Sequence, residues 1–470
     1  MQIENLMKIV RIVFALMWPA FAGAADQPNI IYFVANDLGW KDVGFHGGRA
    51  ITPNIDRLAE NGARLENFYT LPHSSSARAA LLTGRYPMRT GFQMLSIQPW
   101  SSYGLSRDER TLAQALNAVG YKTGLFGSWL LGHSQREYLP TQKGFDTFFG
   151  NLVQIGDHYE KKNIVGQPDW FANEKLYFEK GFNTDLIAAK AKNFLESQLG
   201  KKPVFVLVSF PGPGAPYQSP DQYQSLYADV SRESERAYLG AVSHMDAAIG
   251  AIIESVEKLG QLENTLVIFH SDNGGAVKRA FFTGDSDTSQ NVADNGPFRS
   301  GQGSLYEGGV RVPLLVHWRG KISSEVSTER AHIVDMFPTL IKIGKGSLQK
   351  QDQVKPIDGI DISPILLNEA QSTREEILLN VDEFGGAILR DNWKLIVRSI
   401  LPASAELYNI GDDPSEENNV IEKFPEISQE LTKRLQDFAW EMQRSLYLGD
   451  LSRARQYDMP MLWGNNPQRP

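Results

Sequence analysis

The residues best placed to do chemistry lie between Pro72 and Gly91, in PHSSSARAALLTGRYPMRTG, where three serines open a small-residue helix and an arginine stands one turn inside it. Ser74, Ser75 or Ser76 can cap that helix, Ala79 to Leu82 give it a buried face, and Gly84 ends it. The free N–H groups of its first turn face whatever lies in front, and Arg78 adds a permanent positive charge, so the stretch reads as an anion site. An ordinary capped core helix would use the same residues.

A second group of chemically useful residues follows short apolar runs. NIIYFVAN ends in Asn36 and is followed by Asp37; YKTGLFG is followed by Ser128; KPVFVLVSF leads to Gly214; NTLVIFHS is followed by Asp272 and Asn273. The runs read as strands buried on both faces, separated by helical stretches such as Asp185 to Leu199 and Arg232 to Gly260. Another helix begins after Thr52, a candidate cap, with Pro53 in its first turn and Gly62 closing it. Alternating strands and helices imply an α/β fold with a large, mostly parallel sheet covered by helices on both faces. Such sheets bind ligands beyond the carboxyl ends of their strands. The acidic and amide groups gathered there suit a hard cation such as Ca²⁺ or Mg²⁺, although Asp and Asn are also common in turns.

From about Arg374 the pattern changes to EILLNVDE, GAILRDNWKLIVR and AELYNI, followed by a helix from Pro425 to about Arg444. This predicts a small C-terminal antiparallel sheet with one packed helix. The division is 1–25 signal peptide, 26–372 α/β domain, and 373–470 C-terminal subdomain and tail, the tail from Gly449 having no periodicity.

Lys8 and Arg11 precede IVFALMWPAFAG, which ends in Ala22-Gly23-Ala24, the pattern of a cleaved signal peptide. Export to a periplasmic or secreted location follows, and no later segment reads as long and apolar enough to span a membrane. The 470 residues are 42% hydrophobic and 22% charged, enough for one large domain and a smaller one. A net charge of −8 argues against nucleic-acid binding. The absence of cysteine removes disulfides and thiolate metal sites.

The run ARAALLTGRYPMRTG resembles the signature of the sulfatases, a branch of the alkaline phosphatase superfamily, in which Cys-x-Pro-x-Arg precedes an almost identical tail. The resemblance extends through ANDLGWKDVGFHG, GFDTFFG, HSDNGG, GSLYEGGVRVP and ELYNIGDDPSEENN. GWKDVGFHG and YLPTQKGFDTFFG look most like the arylsulfatase B type, which removes 4-sulfates from N-acetylgalactosamine. It implies an alkaline phosphatase-like fold, a calcium ion, a formylglycine nucleophile made from the cysteine, and a sulfated or other anionic glycan as ligand.

Carried over position by position, the resemblance keeps four site residues and replaces six. Of the calcium ligands, Asp37, Asp272 and Asn273 are kept, and the first aspartate is Asn36. The nucleophile position is Ser74, the proline read by the modifying machinery is Ser76, and the supporting arginine is Arg78, so no formylglycine is expected. The lysine and histidine of Gly-Lys-Trp-His-Leu-Gly are Ser128 and Leu130 in GSWLLG, the histidine of Pro-His-x-Pro falls at Gly214, and the last lysine is Gln302. Fold-shaping residues survive while proton carriers and sulfate-neutralising cations are gone. The expectation is a catalytically degenerate homologue with a glycan crevice and a weakened calcium site. The alternative is a sulfate or phosphate ester hydrolase using Ser74 as nucleophile or modified serine, with His73, His133 or His270 as helpers.

Overall fold

The computed structural model describes residues 27–276, 292–346, 355–367, 369, 371–399 and 403–453. The expected signal peptide, and the tail beyond residue 453, lie outside the described residues.

The strands of the main body are β1 (Asn29–Asn36), β2 (Ala63–Tyr69), β3 (Lys122–Gly127), β4 (Thr147–Gly150), the separate pair β5 (Ile155–Asp157) and β6 (Lys162–Asn163), β7 (Phe171–Ala172), β8 (Lys175–Leu176), β9 (Val204–Pro213), β10 (Thr265–Ser271), β11 (Leu314–His317) and β12 (Glu325–His332). Ten of them form one sheet in the order β12-β2-β11-β10-β1-β9-β3-β4-β7-β8. Its centre, β10, β1, β9, β3 and β4, is parallel throughout, so the carboxyl ends of those strands open on one edge.

Successive side chains of a strand point to opposite faces, which is why β1 is apolar at every position from Ile30 to Ala35. Ile30, Tyr32 and Val34 enter one core with the helices Ser74–Thr83, Leu112–Ala118 and Met336–Ile343. Ile31, Phe33 and Ala35 enter the other with the helices Pro53–Glu60, Asn183–Gln198 and Glu233–Lys258. Contrary to the sequence expectation, Glu233–Lys258 is long and apolar enough by composition to cross a membrane. Its apolar residues, Val242, Ile249, Ile252 and Val256 among them, are instead buried in the second core.

The small sheet is antiparallel, in the order β13 (Glu376–Asp382), β14 (Gly385–Arg390), β15 (Trp393–Arg398) and β16 (Ser404–Asn409). Leu378, Ile388 and Leu395 on one face meet Leu431, Leu435 and Phe438 of the helix Pro425–Trp440. Ile377, Leu389 and Ile396 on the other pack with Tyr69, Tyr306 and Val310 of the main body. At this seam Lys394 is fully buried between Glu307 Oε1 at 2.9 Å and Glu416 Oε1 at 2.8 Å. Burial alone would raise the Glu307 carboxyl, but Lys394 and Arg311 hold it below the usual range. The final helix stops at Trp440 rather than near Arg444, and a further helix, Leu446–Arg453, forms where no periodicity was expected from Gly449 onward.

Candidate functional site

The helix Ser74–Thr83 begins one residue earlier than a serine cap requires. His73 is its N-cap and makes no side-chain cap bond, so Ser74, Ser75 and Ser76 lie within the first turn, and the expected serine cap is not made. Their hydroxyls serve tertiary contacts instead. Ser75 Oγ donates to Leu130 O at 2.6 Å and accepts from Ile97 N at 2.9 Å, and Ser76 Oγ donates to Phe92 O at 2.6 Å. Thr52 is likewise an N-cap without a cap bond; its hydroxyl donates to Asp56 and accepts from Gly44 N. Gly84 ends the Ser74–Thr83 helix as expected, in the left-handed region at φ 66° with its N–H on Ala80 O.

Around this helix, at the carboxyl ends of β1, β9 and β10, seven of the expected site residues come together. Ser74 Oγ donates towards Asn273 Oδ1 at 3.2 Å and Asn36 Oδ1 at 3.4 Å. Asp272 faces inwards from the end of β10: its Oδ2 accepts from Arg78 Nη1 at 2.5 Å and its Oδ1 from the Asp37 N–H at 3.0 Å. Asp37 Oδ1 accepts from Asn273 Nδ2 at 2.8 Å and from Gln302 Nε2 at 2.6 Å, the latter from an exposed residue on the segment after Asn295. Asp37 sits at φ 61°, a conformation that Asp tolerates better than most residues.

Arg78 does not present its charge to the crevice. It is 4% exposed, paired with Asp272, and its Nη2 donates to Ser209 Oγ at 2.9 Å. Ser209 went unpredicted, although its one polar side chain in the apolar run VFVLVSF was the available signal. The remaining substituted positions are built into the scaffold. Ser128 Oγ donates to Asn151 Oδ1 at 3.1 Å, and Gly214 N–H donates to Asn36 O at 2.9 Å. A Cβ at Gly214 would lie 2.5 Å from Asp37 Oδ2 and 2.6 Å from Asn36 Nδ2. Leu130 is buried at φ 58°, unfavourable for a side chain of its bulk, with its N–H on Leu152 O and its carbonyl receiving Ser75.

Among the described residues the hydrogen-bond partners of Ser74 Oγ are two amide oxygens, and neither can take its proton. The three histidines considered as helpers do other things. His133 Nε2 faces Gln98 O, and His270 Nδ1 faces Ser271 O while its ring packs on Tyr32 and Phe68. Half-buried His73 lies beside Gly303. Burial lowers all three to about 4.

A divalent cation makes demands that this donor set does not meet. Calcium requires six to eight oxygens at about 2.3–2.6 Å. Here a guanidinium stands on Asp272, two amide N–H groups stand on Asp37 Oδ1, and two of the four ligand side chains are neutral amides. In this arrangement the residues do not fit a calcium ion. A separate polar surface cavity of about 720 Å³, lined by Arg107, Arg136, Lys143 and neighbouring glutamines, includes none of these residues.

Comparison with known proteins agrees with the fold. Residues 28–346 match the family model described as Sulfatase, and residues 302–441 match N-sulphoglucosamine sulphohydrolase, C-terminal. The chain is 30% identical over 475 residues to arylsulfatase J of Mus musculus, covering 89% of this chain and 77% of that protein. It is 33% identical over 368 residues to N-acetylgalactosamine-6-sulfatase of Mus musculus, covering 74% and 67%. The crystal structure of Ps i-CgsB in complex with k-i-k-neocarrahexaose is similar with a TM-score of 0.79 at 28% identity, over 89% of this chain and 94% of that one. With a large mostly parallel sheet, a small C-terminal antiparallel sheet and a family match over most of its length, the chain belongs to the sulfatase family.

Proposed function

We propose that this sulfatase-family protein is an exported, catalytically degenerate homologue that keeps a crevice for a sulfated or otherwise anionic glycan. One observation carries the reading: Ser74 Oγ has amide oxygens and no base for partners among the described residues, and Ser128, Leu130, Gly214 and Gln302 supply neither a proton nor a cation. Sulfate ester cleavage needs an activated nucleophile, a donor to the leaving alcohol and positive charge on the sulfuryl oxygens. A general acid or base is worth about 10²- to 10⁴-fold. One electrostatic donor is worth about 10²- to 10³-fold. Losing several together brings the rate near background, even though such losses do not add simply.

The crevice floor holds Asp37 and Asp272, with the Arg78 charge spent on Asp272, so the floor does not attract a sulfate. The floor carboxylates are buried and already hydrogen-bonded, so recognition of the glycan falls to groups towards the rim. The oligosaccharide in the Ps i-CgsB structure and the sulfated sugar named for the Mus musculus relative support a carbohydrate as the ligand class. The signal-like segment, residues 1–25, supports a periplasmic or secreted location, with 26–372 as the α/β domain and 373–470 as the C-terminal subdomain.

Calorimetry of the purified mature protein against sulfated and unsulfated oligosaccharides, with product analysis on the same samples, tests the reading. Binding without ester cleavage is expected. Turnover would return the Ser74 hydrolase to first place, and absence of binding across both sets would remove the glycan crevice.

A further inference from the structure

The positions that the family resemblance assigns to calcium are still clustered, yet their polar atoms are already engaged with one another. Three carboxylate oxygens point at N–H donors: Asp272 Oδ1 at the Asp37 amide, Asp272 Oδ2 at Arg78, and Asp37 Oδ1 at both Asn273 and Gln302. Arg78 is anchored from behind by Ser209 Oγ and by its bond to Ser74 O at 3.2 Å. A divalent ion entering among these oxygens would sit against N–H dipoles and a guanidinium, and would have to turn Gln302, Asn273 and Arg78 away first.

The charges are consistent with this arrangement. Asn36 removes one negative charge from the cluster and Gln302 removes one positive charge, while Arg78 remains as the cation against Asp272. Cation affinity of an oxygen site depends on ligand charge, and Asn36 alters it in the direction of loss. A buried carboxylate left without a partner is costly, so something must compensate Asp272, which is 0% exposed, and Asp37, which is 4% exposed.

We infer that Asn36, Asp37, Asp272 and Asn273, with Arg78, Ser74 and Gln302, form a hydrogen-bond network in which a guanidinium and side-chain amides take the place of a divalent cation. The fold of this chain therefore does not depend on calcium. Gln302 joins the network by donating to Asp37 Oδ1, and its role is to position Asp37.

The test uses the purified mature protein. Metal content by inductively coupled plasma mass spectrometry and thermal melts in calcium, magnesium or EDTA are measured together. Substoichiometric metal and identical melting temperatures in all conditions are expected. Stoichiometric calcium, or a saturable rise in melting temperature with calcium that EDTA reverses, would overturn the inference. Gln302→Ala is expected to lower the melting temperature equally with and without calcium. The double variant Asn36→Asp, Gln302→Ala, which restores a carboxylate and takes the Gln302 amide off Asp37, is expected to gain a calcium-dependent rise; should it not fold, the native measurements decide alone. These readouts concern metal and melting, so they fail independently of the proposal that the site does not turn over.

Discussion

Arg78 Nη1 lies 2.5 Å from Asp272 Oδ2, and both side chains are buried at the carboxyl edge of the sheet. This pairing changes what the opening helix of the site can do. A helix start with an unpaired arginine behind it would hold an anion, but here the arginine's charge is already compensated and Ser75 and Ser76 of the first turn are turned to the loops at Phe92, Ile97 and Leu130. The same residues therefore brace the crevice instead of activating a sulfate.

Restoring a histidine at Gly214 should damage the floor rather than repair it. The new Cβ would press on Asp37 Oδ2 and Asn36 Nδ2. Overpacking of this kind costs about 1–3 kcal/mol. Gly214→His is expected to lower stability in urea by that order without producing esterase or sulfatase activity; a stable variant with turnover would show that the floor still accommodates the lost group.

The seam between the sheets depends on Lys394. Removing one partner of a buried ion pair costs about 3–5 kcal/mol. Lys394→Met removes the cation that Glu307 and Glu416 share, leaving only Arg311 beside Glu307, so its urea midpoint should fall accordingly. A loss below about 1 kcal/mol, the scale of an exposed pair, would mean the triad is not as closed as its burial indicates.

Asp169 gives a pH-dependent comparison with a definite sign. Its carboxylate accepts from Leu152 N and Val153 N, holding the segment beside Leu130, and burial raises it to about 7 despite those two bonds. In the unfolded chain an aspartate titrates near about 4. The folded state therefore holds the extra proton between those values, and the resulting stability is present below about pH 4 and is lost as pH rises through about 7. Asp169→Asn removes this dependence. The wild type's stability relative to that variant should shrink from about pH 4 to about pH 7 and stay level above; a difference independent of pH would show that Asp169 is not held protonated.

The two-faced burial of β1 was legible because an unbroken apolar run of strand length leaves no polar face to turn to water, and Asp37, Ser128, Gly214, Asp272 and Asn273 after the apolar runs marked one edge of the sheet. Less was legible where packing decides. The edge strand β12, EVSTERAH, is half exposed and carries polar residues, so its composition does not separate it from a loop. Local preference makes the serines caps, but the hydroxyls of Ser75 and Ser76 are claimed by backbone atoms 16 to 55 residues away, which no local pattern reveals. Similarly, a lost histidine could be read at Leu130, but not that its backbone would stay left-handed and tied to Leu152.

Replacing the nucleophile alone should not restore function. Ser74→Cys with Ser76→Pro, produced with the formylglycine-generating machinery, recreates the modified motif; proline is tolerated in a first helical turn, although the Ser76 bond to Phe92 O is lost. Mass spectrometry should detect the aldehyde, while aryl and N-acetylgalactosamine sulfates remain intact. Robust turnover would mean that other residues have taken over the lost proton and charge roles.

The most direct measurement is sulfate release by the unmodified protein at high enzyme concentration, compared with Ser74→Ala on the same sulfated oligosaccharides and aryl sulfates. A crevice whose described residues offer Ser74 no base, no leaving-group acid and no uncompensated cation predicts equal, background release from both proteins. Release by the wild type that Ser74→Ala abolishes would contradict it and would make Ser74 a working nucleophile.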